Sequence, residues 1–162
     1  MKENFLPKKI VIGIDPGTAT VGYGISTGNK KNPVILDFGV LHTNALIKEK
    51  MPNRLAEIGT DLDLLLDKYK PTHAIIEDLF FFKNQSTAIS VAQSRGVLLY
   101  LLAKRNISIL SLTPLEIKQG ICGYGRATKK QVQTMVQKVF QLSSPPKPDD
   151  AADALAMSWL GL

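Results

Sequence analysis

The first forty residues alternate between apolar runs and short polar or glycine-rich breaks, which is typical of β-strands. The β-branched run at residues 9–14 stops at Asp15-Pro16-Gly17, and residues 28–33 separate two further apolar runs as a hairpin loop would. We therefore predict three strands, at 9–14, 21–27 and 34–41, that form an antiparallel start to a sheet.

From residue 53 onward the apolar period changes to three and four residues, which predicts amphipathic helices. Leu55, Ile58, Leu62 and Leu66 predict a helix over 53–69, and Thr128 with Gln131 has the spacing of a capping box. The further predicted elements are strands at 72–77 and 107–112 and helices at 86–105, from 114, at 128–140 and from Asp149 or Asp150 to 160. This order predicts an α/β fold over residues 1–162, with a mixed sheet flanked by helices in a single domain.

Length and composition exclude several classes of protein. The chain has 162 residues, of which 44% are hydrophobic, as expected for one globular domain. No apolar run approaches the ~18 residues of a membrane span, and residues 1–9 lack the apolar centre of a secretion signal. Cys122 is the single cysteine, so an intramolecular disulfide and a cysteine-based zinc cluster are excluded. We expect a cytoplasmic protein with no membrane contact.

The charge is distributed unevenly along the chain. The formal net charge is +6, but residues 1–79 carry ten basic and ten acidic side chains. Residues 80–148 carry ten basic side chains and one acid, Glu116, whereas the last 14 residues hold three acids and no base. A neutral half followed by a basic segment favours a surface for a polyanion, with an ordinary solvated basic surface as the alternative.

Four carboxylates stand where a fold can bring them to one point. Asp15 follows the first predicted strand and Glu77 ends the fourth, while Asp150 and Asp153 share one face at the start of the last helix. An acid at the end of an apolar strand is costly unless it is paired or bound to a metal. Oxygen ligands alone suit hard cations, so the expected metal is Mg²⁺ or Mn²⁺.

Each of these acids also has a simpler interpretation when it is considered alone. Asp150 and Asp153 could serve the N-terminus of a helix, and Asp15-Pro16-Gly17 could be a turn or a phosphate-binding loop. The acids together with the basic segment favour metal-assisted cleavage of a phosphodiester, because the basic side chains would hold the phosphates.

Seven short stretches carry a more specific signal. They are residues 12–18 (IGIDPGT), 76–80 (IEDLF), 83–84 (KN), 93–96 (QSRG), 113–114 (TP), 118–119 (KQ) and 150–156 (DAADALA). Together, in this order and over nearly the whole chain, they resemble the RuvC family of bacterial Holliday junction resolvases. The resemblance implies an RNase H-like fold, in which three antiparallel strands are followed by parallel strands and helices flank the sheet.

The resemblance also implies an activity and its partners. The family works as a homodimer that makes paired, symmetric cuts in four-way junction DNA during recombination and repair, leaving 5′-phosphate and 3′-hydroxyl ends. The implied cofactor is Mg²⁺, with two ions per active site and Mn²⁺ as a substitute, and the implied protein partner is the RuvA–RuvB branch-migration complex. The implied catalytic and metal-binding residues are Asp15, Glu77, Asp150 and Asp153, since the family motif favours Asp150 over Asp149.

The residues that the resemblance assigns to DNA binding are Phe80, Lys83, Lys118 and Lys129. Phe80 would stack on a base near the junction centre, and the lysines would contact phosphates. Burial of the phenylalanine in the core is the alternative for Phe80.

Two other classes of function are alternatives to the nuclease. An actin-like kinase or ATPase shares the Asp-Pro-Gly-Thr turn, but it needs a second such domain and an adenosine site. A catalytically silent junction-binding module, or a relative that acts on another nucleic acid, is the third interpretation. The presence of all four acids favours an active enzyme.

Overall fold

The computed structural model describes residues 9–43, 50–79 and 85–162 of the chain. Its strands and helices follow each other in the predicted succession. The elements are β1 (Ile10–Asp15), β2 (Thr20–Gly28), β3 (Pro33–His42), α1 (Met51–Tyr69), β4 (His73–Glu77), α2 (Gln85–Lys104), β5 (Ser108–Leu112), α3 (Pro114–Cys122), α4 (Lys129–Val139) and α5 (Asp149–Leu160). Of the helices that the structure describes, none is long and apolar enough to span a membrane.

The five strands form one mixed sheet in the order β3-β2-β1-β4-β5. β2 pairs antiparallel with both β1 and β3, whereas β4 pairs parallel with β1 and with β5. The predicted fold class, three antiparallel strands followed by parallel strands, is confirmed. Ile14 of β1 pairs with Ile76 of β4, so the next residues, Asp15 and Glu77, end these two strands side by side.

The two faces of the sheet carry different side chains. The face toward α1 and α2 is filled by large aliphatic residues, among them Ile12, Ile14 and Ile25. The two-residue period of a strand directs Asp15 and Glu77 to the opposite face, which α3, α4 and α5 cover. The sheet therefore presents its strand-end acids to the helices at the carboxyl end of the chain.

Helix α5 lies directly against β1 and β2, because these strands carry glycine where the helix backbone crosses them. A β-carbon at Gly24 would lie 2.7 Å from Leu155 N, and β-carbons at Gly13 and Gly22 would collide with the carbonyl oxygens of Ala154 and Asp150. The structural reason for the glycines of β2 is not visible in the sequence alone. They let the helix that carries Asp150 approach the strand that carries Asp15.

The prediction that Asp149 or Asp150 caps α5 is wrong. The N-cap is Pro148, whose backbone is extended and whose carbonyl accepts from Ala151 N and Ala152 N. Both acids instead lie in the first helical turn, where their carboxylates bind partners on other elements. The predicted capping box of Thr128 at α4 is confirmed.

Candidate active site

The structure brings the four predicted carboxylates together at one edge of the sheet. Asp15 and Glu77 end the neighbouring strands β1 and β4, and Asp150 and Asp153 lie in the first turns of α5. The Asp15 carboxyl is hydrogen-bonded to that of Glu77 and is also repelled by the charges of Asp153 and Asp150. Residues that are up to 138 positions apart in sequence thereby share one electrostatic site.

Burial and crowding raise the pKa of Asp15 to about 9 from an ordinary value of 3.8. Loss of hydration is the larger cause, followed by the negative charges of Glu77, Asp153 and Asp150. Asp15 therefore favours its protonated form, in which it donates a hydrogen bond to the Glu77 carboxylate.

The pKa values of Glu77 and Asp153 are also raised. Burial raises the pKa of Glu77, although the hydrogen bond from Asp15 and the charges of Lys118 and Lys129 lower it in part. Burial also raises the pKa of Asp153 to about 6, against the opposing charge of Lys129. Two lysines flank the site but do not neutralise it.

Asp150 and its neighbour Asp149 point toward different partners. Asp150 Oδ2 accepts a hydrogen bond of 2.9 Å from Thr20 Oγ1 at the start of β2, on the side of Asp15. Asp149 accepts from Gln133 Nε2 at 2.6 Å and lies 4.0 Å from Lys129 Nζ, on the side of α4. This placement favours Asp150 as the third acid of the site.

The donor set fits a divalent cation chemically. All four side chains offer oxygen, they are concentrated where charge is poorly hydrated, and a cleft of about 50 Å³ lies beside Glu77, Lys118 and Asp153. Across residues 9–43, 50–79 and 85–162, however, no three His, Cys, Asp or Glu side chains stand close enough to hold an ion as they are. The hydrogen bond between the Asp15 and Glu77 carboxyls uses oxygen atoms that a cation would need, so a bound cation would replace this hydrogen bond.

The predicted basic residues differ in how far the structure describes them. Lys118 on α3 and Lys129, the first residue of α4, both act electrostatically on Glu77 and Asp153. An open groove of about 670 Å³ runs from Lys129 to Lys147 beside the first turn of α5. Such a groove suits a phosphate chain, because the basic side chains stand next to the acids. Phe80 and Lys83 lie outside the described residues.

Sequence reasoning did not connect two polar residues, Thr20 and Arg95, with the acidic site. Thr20 orients Asp150, and Arg95 on α2 binds the backbone carbonyl of Glu77. Thr20 closely follows the Asp15-Pro16-Gly17 turn, and Arg95 belongs to the QSRG stretch, so both lie in or beside a motif that the sequence shows. The sequence does not show which residues they contact, because those partners lie 130 and 18 residues away.

The mixed sheet flanked by helices is the RNase H-like fold, and solved structures agree. The structure described as "T. thermophilus RuvC in complex with Holliday junction substrate" matches with a TM-score of 0.86 and 27% identity, over 94% of this chain and 92% of that one. The yeast mitochondrial Holliday junction resolvase Ydc2 matches with a TM-score of 0.64 and 20% identity over 93% of this chain and 77% of that one, and shares the fold.

Sequence relatives narrow the class to one family. The family model described as "Crossover junction endodeoxyribonuclease RuvC" matches residues 11–159. A protein of that description from Fusobacterium nucleatum is 54% identical over 91% of this chain and 76% of its own length. Another from Syntrophomonas wolfei is 47% identical over 91% of this chain and 85% of its own length. The chain belongs to the RuvC family, whose members are metal-dependent nucleases.

Proposed function

We propose that this chain is a structure-selective endonuclease that resolves four-way DNA junctions by paired strand cuts. The observation that carries the proposal is the convergence of Asp15, Glu77, Asp150 and Asp153 at one buried edge, flanked by Lys118 and Lys129, in a chain of this family. Recombination and repair are the processes in which such an activity is used.

The four acids would act as ligands for Mg²⁺, two ions per site, with Mn²⁺ as a substitute. When bound, Mg²⁺ supplies activation of a water molecule and stabilisation of the leaving oxygen, which yields 5′-phosphate and 3′-hydroxyl ends. Asp15 and Glu77 would hold their oxygens from rigid strand ends, and Asp150 would be held by Thr20. Asp15 must release its proton before its carboxylate can serve as a full ligand.

The basic side chains would hold the DNA backbone against this acidic edge. Lys118 and Lys129 already lower the electrostatic cost of Glu77 and Asp153, so they stand where a phosphate approaching the acids would pass. Replacement of either lysine by alanine should weaken cleavage and reduce the salt dependence of binding. Phe80 and Lys83 are proposed as further DNA contacts, Phe80 by stacking on a base.

The working unit would be a homodimer, because one acidic site per chain makes one cut and a resolved junction needs two. On α2, Ile89 is 74% exposed and Tyr100 is 63% exposed, whereas Leu98 and Leu102 are fully buried. The exposed side of α2 is therefore the surface that a second copy would cover. The RuvA–RuvB complex as a partner and a cytoplasmic location remain predictions from the family and the composition.

Incubation with a synthetic four-way junction and Mg²⁺, with linear duplex as the control DNA, tests the function. The wild-type protein should cut the junction in pairs and leave the duplex intact. Asp15→Asn and Glu77→Gln should abolish cleavage but keep junction binding, since loss of negative charge near phosphates reduces repulsion. Asp149→Asn is the matched control and should keep most of the activity.

Two results would refute the proposal. One is equal cleavage of junction and duplex, which would remove the structural selectivity. The other is cleavage at the wild-type rate by Asp15→Asn, which would remove this acid from the site. A mixed dimer of wild-type and Asp15→Asn chains should nick one strand only, and unimpaired paired cutting by that species would contradict the dimer.

A further inference from the structure

We propose that Arg95 is a positioning residue that fixes Glu77 through the backbone and thereby sets the affinity of the site for its divalent cation. The proposal rests on the proposed function, in which Glu77 is a metal ligand. Arg95 Nε donates to the Glu77 carbonyl oxygen at 3.1 Å, and Nη2 donates to Ser111 Oγ at 2.7 Å and lies 3.0 Å from Asp78 Oδ1.

These contacts join three elements at the point where β4 ends. Arg95 belongs to α2, Glu77 is the last residue of β4, and Ser111 lies on the neighbouring strand β5. One further backbone bond, from Asp78 N to the Leu112 carbonyl at 2.8 Å, extends the pairing of β4 and β5 past Glu77. The guanidinium therefore fastens the strand end from which the Glu77 side chain departs.

The environment of Arg95 is consistent with a side chain that holds the end of β4. It is 16% exposed, whereas Asp78 is 49% exposed, so the cation is the more buried partner of the pair. A guanidinium with several hydrogen bonds in a fixed fork is held more rigidly than a lysine ammonium would be. The side chain points toward the sheet, away from the exposed side of α2 that carries Ile89 and Tyr100.

The consequence for metal binding follows from the state of Glu77. Its carboxylate is buried, repelled by Asp153 and hydrogen-bonded to Asp15, so its orientation depends on how firmly the backbone at Glu77 is held. If the backbone at Glu77 is free to move, some of the binding free energy is lost in ordering it. Residues that orient metal ligands from behind typically change metal affinity or activity by about 10–100-fold when they are replaced.

Arg105 offers a matched control on the same side of the sheet. It lies one residue beyond α2, is 28% exposed, and binds Asp63 Oδ1 at 2.7 Å and Asp67 Oδ1 at 2.6 Å on α1. It thus makes a comparable set of charge-assisted hydrogen bonds that do not involve the acidic site. Replacement of Arg105 therefore measures how far the loss of such a guanidinium lowers the stability of the fold when the acidic site is not involved.

The test compares Arg95→Met, Arg95→Lys and Arg105→Met by two titrations with Mg²⁺. One follows the rise in melting temperature of the free protein, and the other follows cleavage of a four-way junction. Arg95→Met should need about tenfold more Mg²⁺ in both titrations, with junction binding in the absence of Mg²⁺ unchanged. Arg95→Lys should fall between it and the wild type, and Arg105→Met should lower the melting temperature without altering the Mg²⁺ requirement.

An unchanged Mg²⁺ requirement in Arg95→Met would overturn the proposal, as would an equal shift in Arg105→Met. If Arg95→Met does not fold, Arg95→Lys and Ser111→Ala decide, and a wild-type Mg²⁺ requirement in both would overturn it. The thermal titration needs no DNA, so its result stands even if the wild-type protein fails to cut junctions. That failure would refute the proposed function and leave the role of Arg95 measured independently.

Discussion

The two faces of the sheet are packed in opposite ways. Toward α1 and α2, residues such as Ile12, Ile25 and Leu98 are fully buried and fill the space with large side chains. Toward α5, Gly22 and Gly24 bring backbone against backbone. Large side chains can adjust by small rotations, whereas touching backbones cannot. The face that carries the acids is therefore the one whose geometry is fixed most tightly.

The acids of the protein show the same division in their electrostatics. On the outside of the α1–α2 face, the hydrogen bond from Arg105 lowers the pKa of Asp67, as in an ordinary paired surface acid. At the α5 face, burial and mutual repulsion raise the pKa of Asp15 to about 9 and that of Asp153 to about 6. One group of acids is paired within the fold, and the other is arranged for a positive partner from outside.

Gly22→Ala should have the largest effect, because it disrupts the close packing of α5 on β2 that positions Asp150. The added methyl group would collide with the Asp150 carbonyl oxygen and push the start of α5 away from β2. We expect a loss of about 3 kcal/mol in stability and at least a hundredfold loss of junction cleavage. Thermal unfolding and a cleavage assay measure the two effects, and wild-type cleavage would show that this approach does not position the site.

Thr20→Val should have the next largest effect, because it removes the hydrogen bond to Asp150 while keeping the shape of the side chain. The Mg²⁺ concentration for half-maximal cleavage should rise about tenfold. Thr20→Ser keeps the hydroxyl and should behave like the wild type. Equal loss in the valine and serine variants would mean that packing, and not the hydrogen bond, matters at this position.

The stability of the metal-free protein should fall as pH rises. The pKa values of Asp15 and Asp153 are raised above the unfolded value of 3.8, so the folded chain binds more protons and the favourable contribution disappears as pH passes about 6 and then about 9. For a chain of this size, each ~1 kcal/mol lost lowers the melting temperature by roughly 2–4 °C. Melting curves from pH 5 to 9 measure this.

Asp15→Asn is the control for that pH dependence, because the amide resembles the protonated acid. Its melting temperature should fall less between pH 7 and 9 than that of the wild type. Addition of Mg²⁺ should oppose the fall in the wild type and have little effect in the variant. A wild-type protein that gains stability from pH 7 to 9 without metal would contradict the assignment.

Ile25→Val should have the smallest effect, because Ile25 is on the same strand as Gly22 but packs on the opposite face of the sheet, toward α1 and α2. It removes one methyl group from a fully buried side chain and should cost about 0.5–1.5 kcal/mol. Cleavage and Mg²⁺ dependence should stay at wild-type values. A large loss of cleavage at unchanged stability would show that the two faces are not independent.

The periodic patterns explain why most of the fold was predictable. Apolar runs bounded by polar or glycine-rich breaks predicted the strands, and the capping box at Thr128 and the proline at the start of α3 marked two helix starts. The start of α5 was predicted wrongly because Asp149 and Asp150 have the composition of caps, while their carboxylates are used by Gln133 and Thr20 on other elements. Local preference could not reveal those partners.

The four acids were predictable because strand ends and helix starts are visible in the sequence. The hydrogen bond between the Asp15 and Glu77 carboxyls and the contact of Arg95 with the Glu77 carbonyl were not predictable, since both depend on which elements become neighbours. The roles of Phe80 and Lys83, and the single domain over residues 1–162, stay predictions.

Calorimetric titration of the free protein with Mg²⁺ at pH 8, in two buffers of different ionisation enthalpy, measures whether the acidic site exchanges a proton for a cation. We expect this exchange because burial and neighbouring acids raise the pKa of Asp15 to about 9. The wild-type protein should bind Mg²⁺ with net release of protons, and Asp15→Asn should bind more weakly with less release. Binding without proton release, or equal binding by Asp15→Asn, would contradict the account.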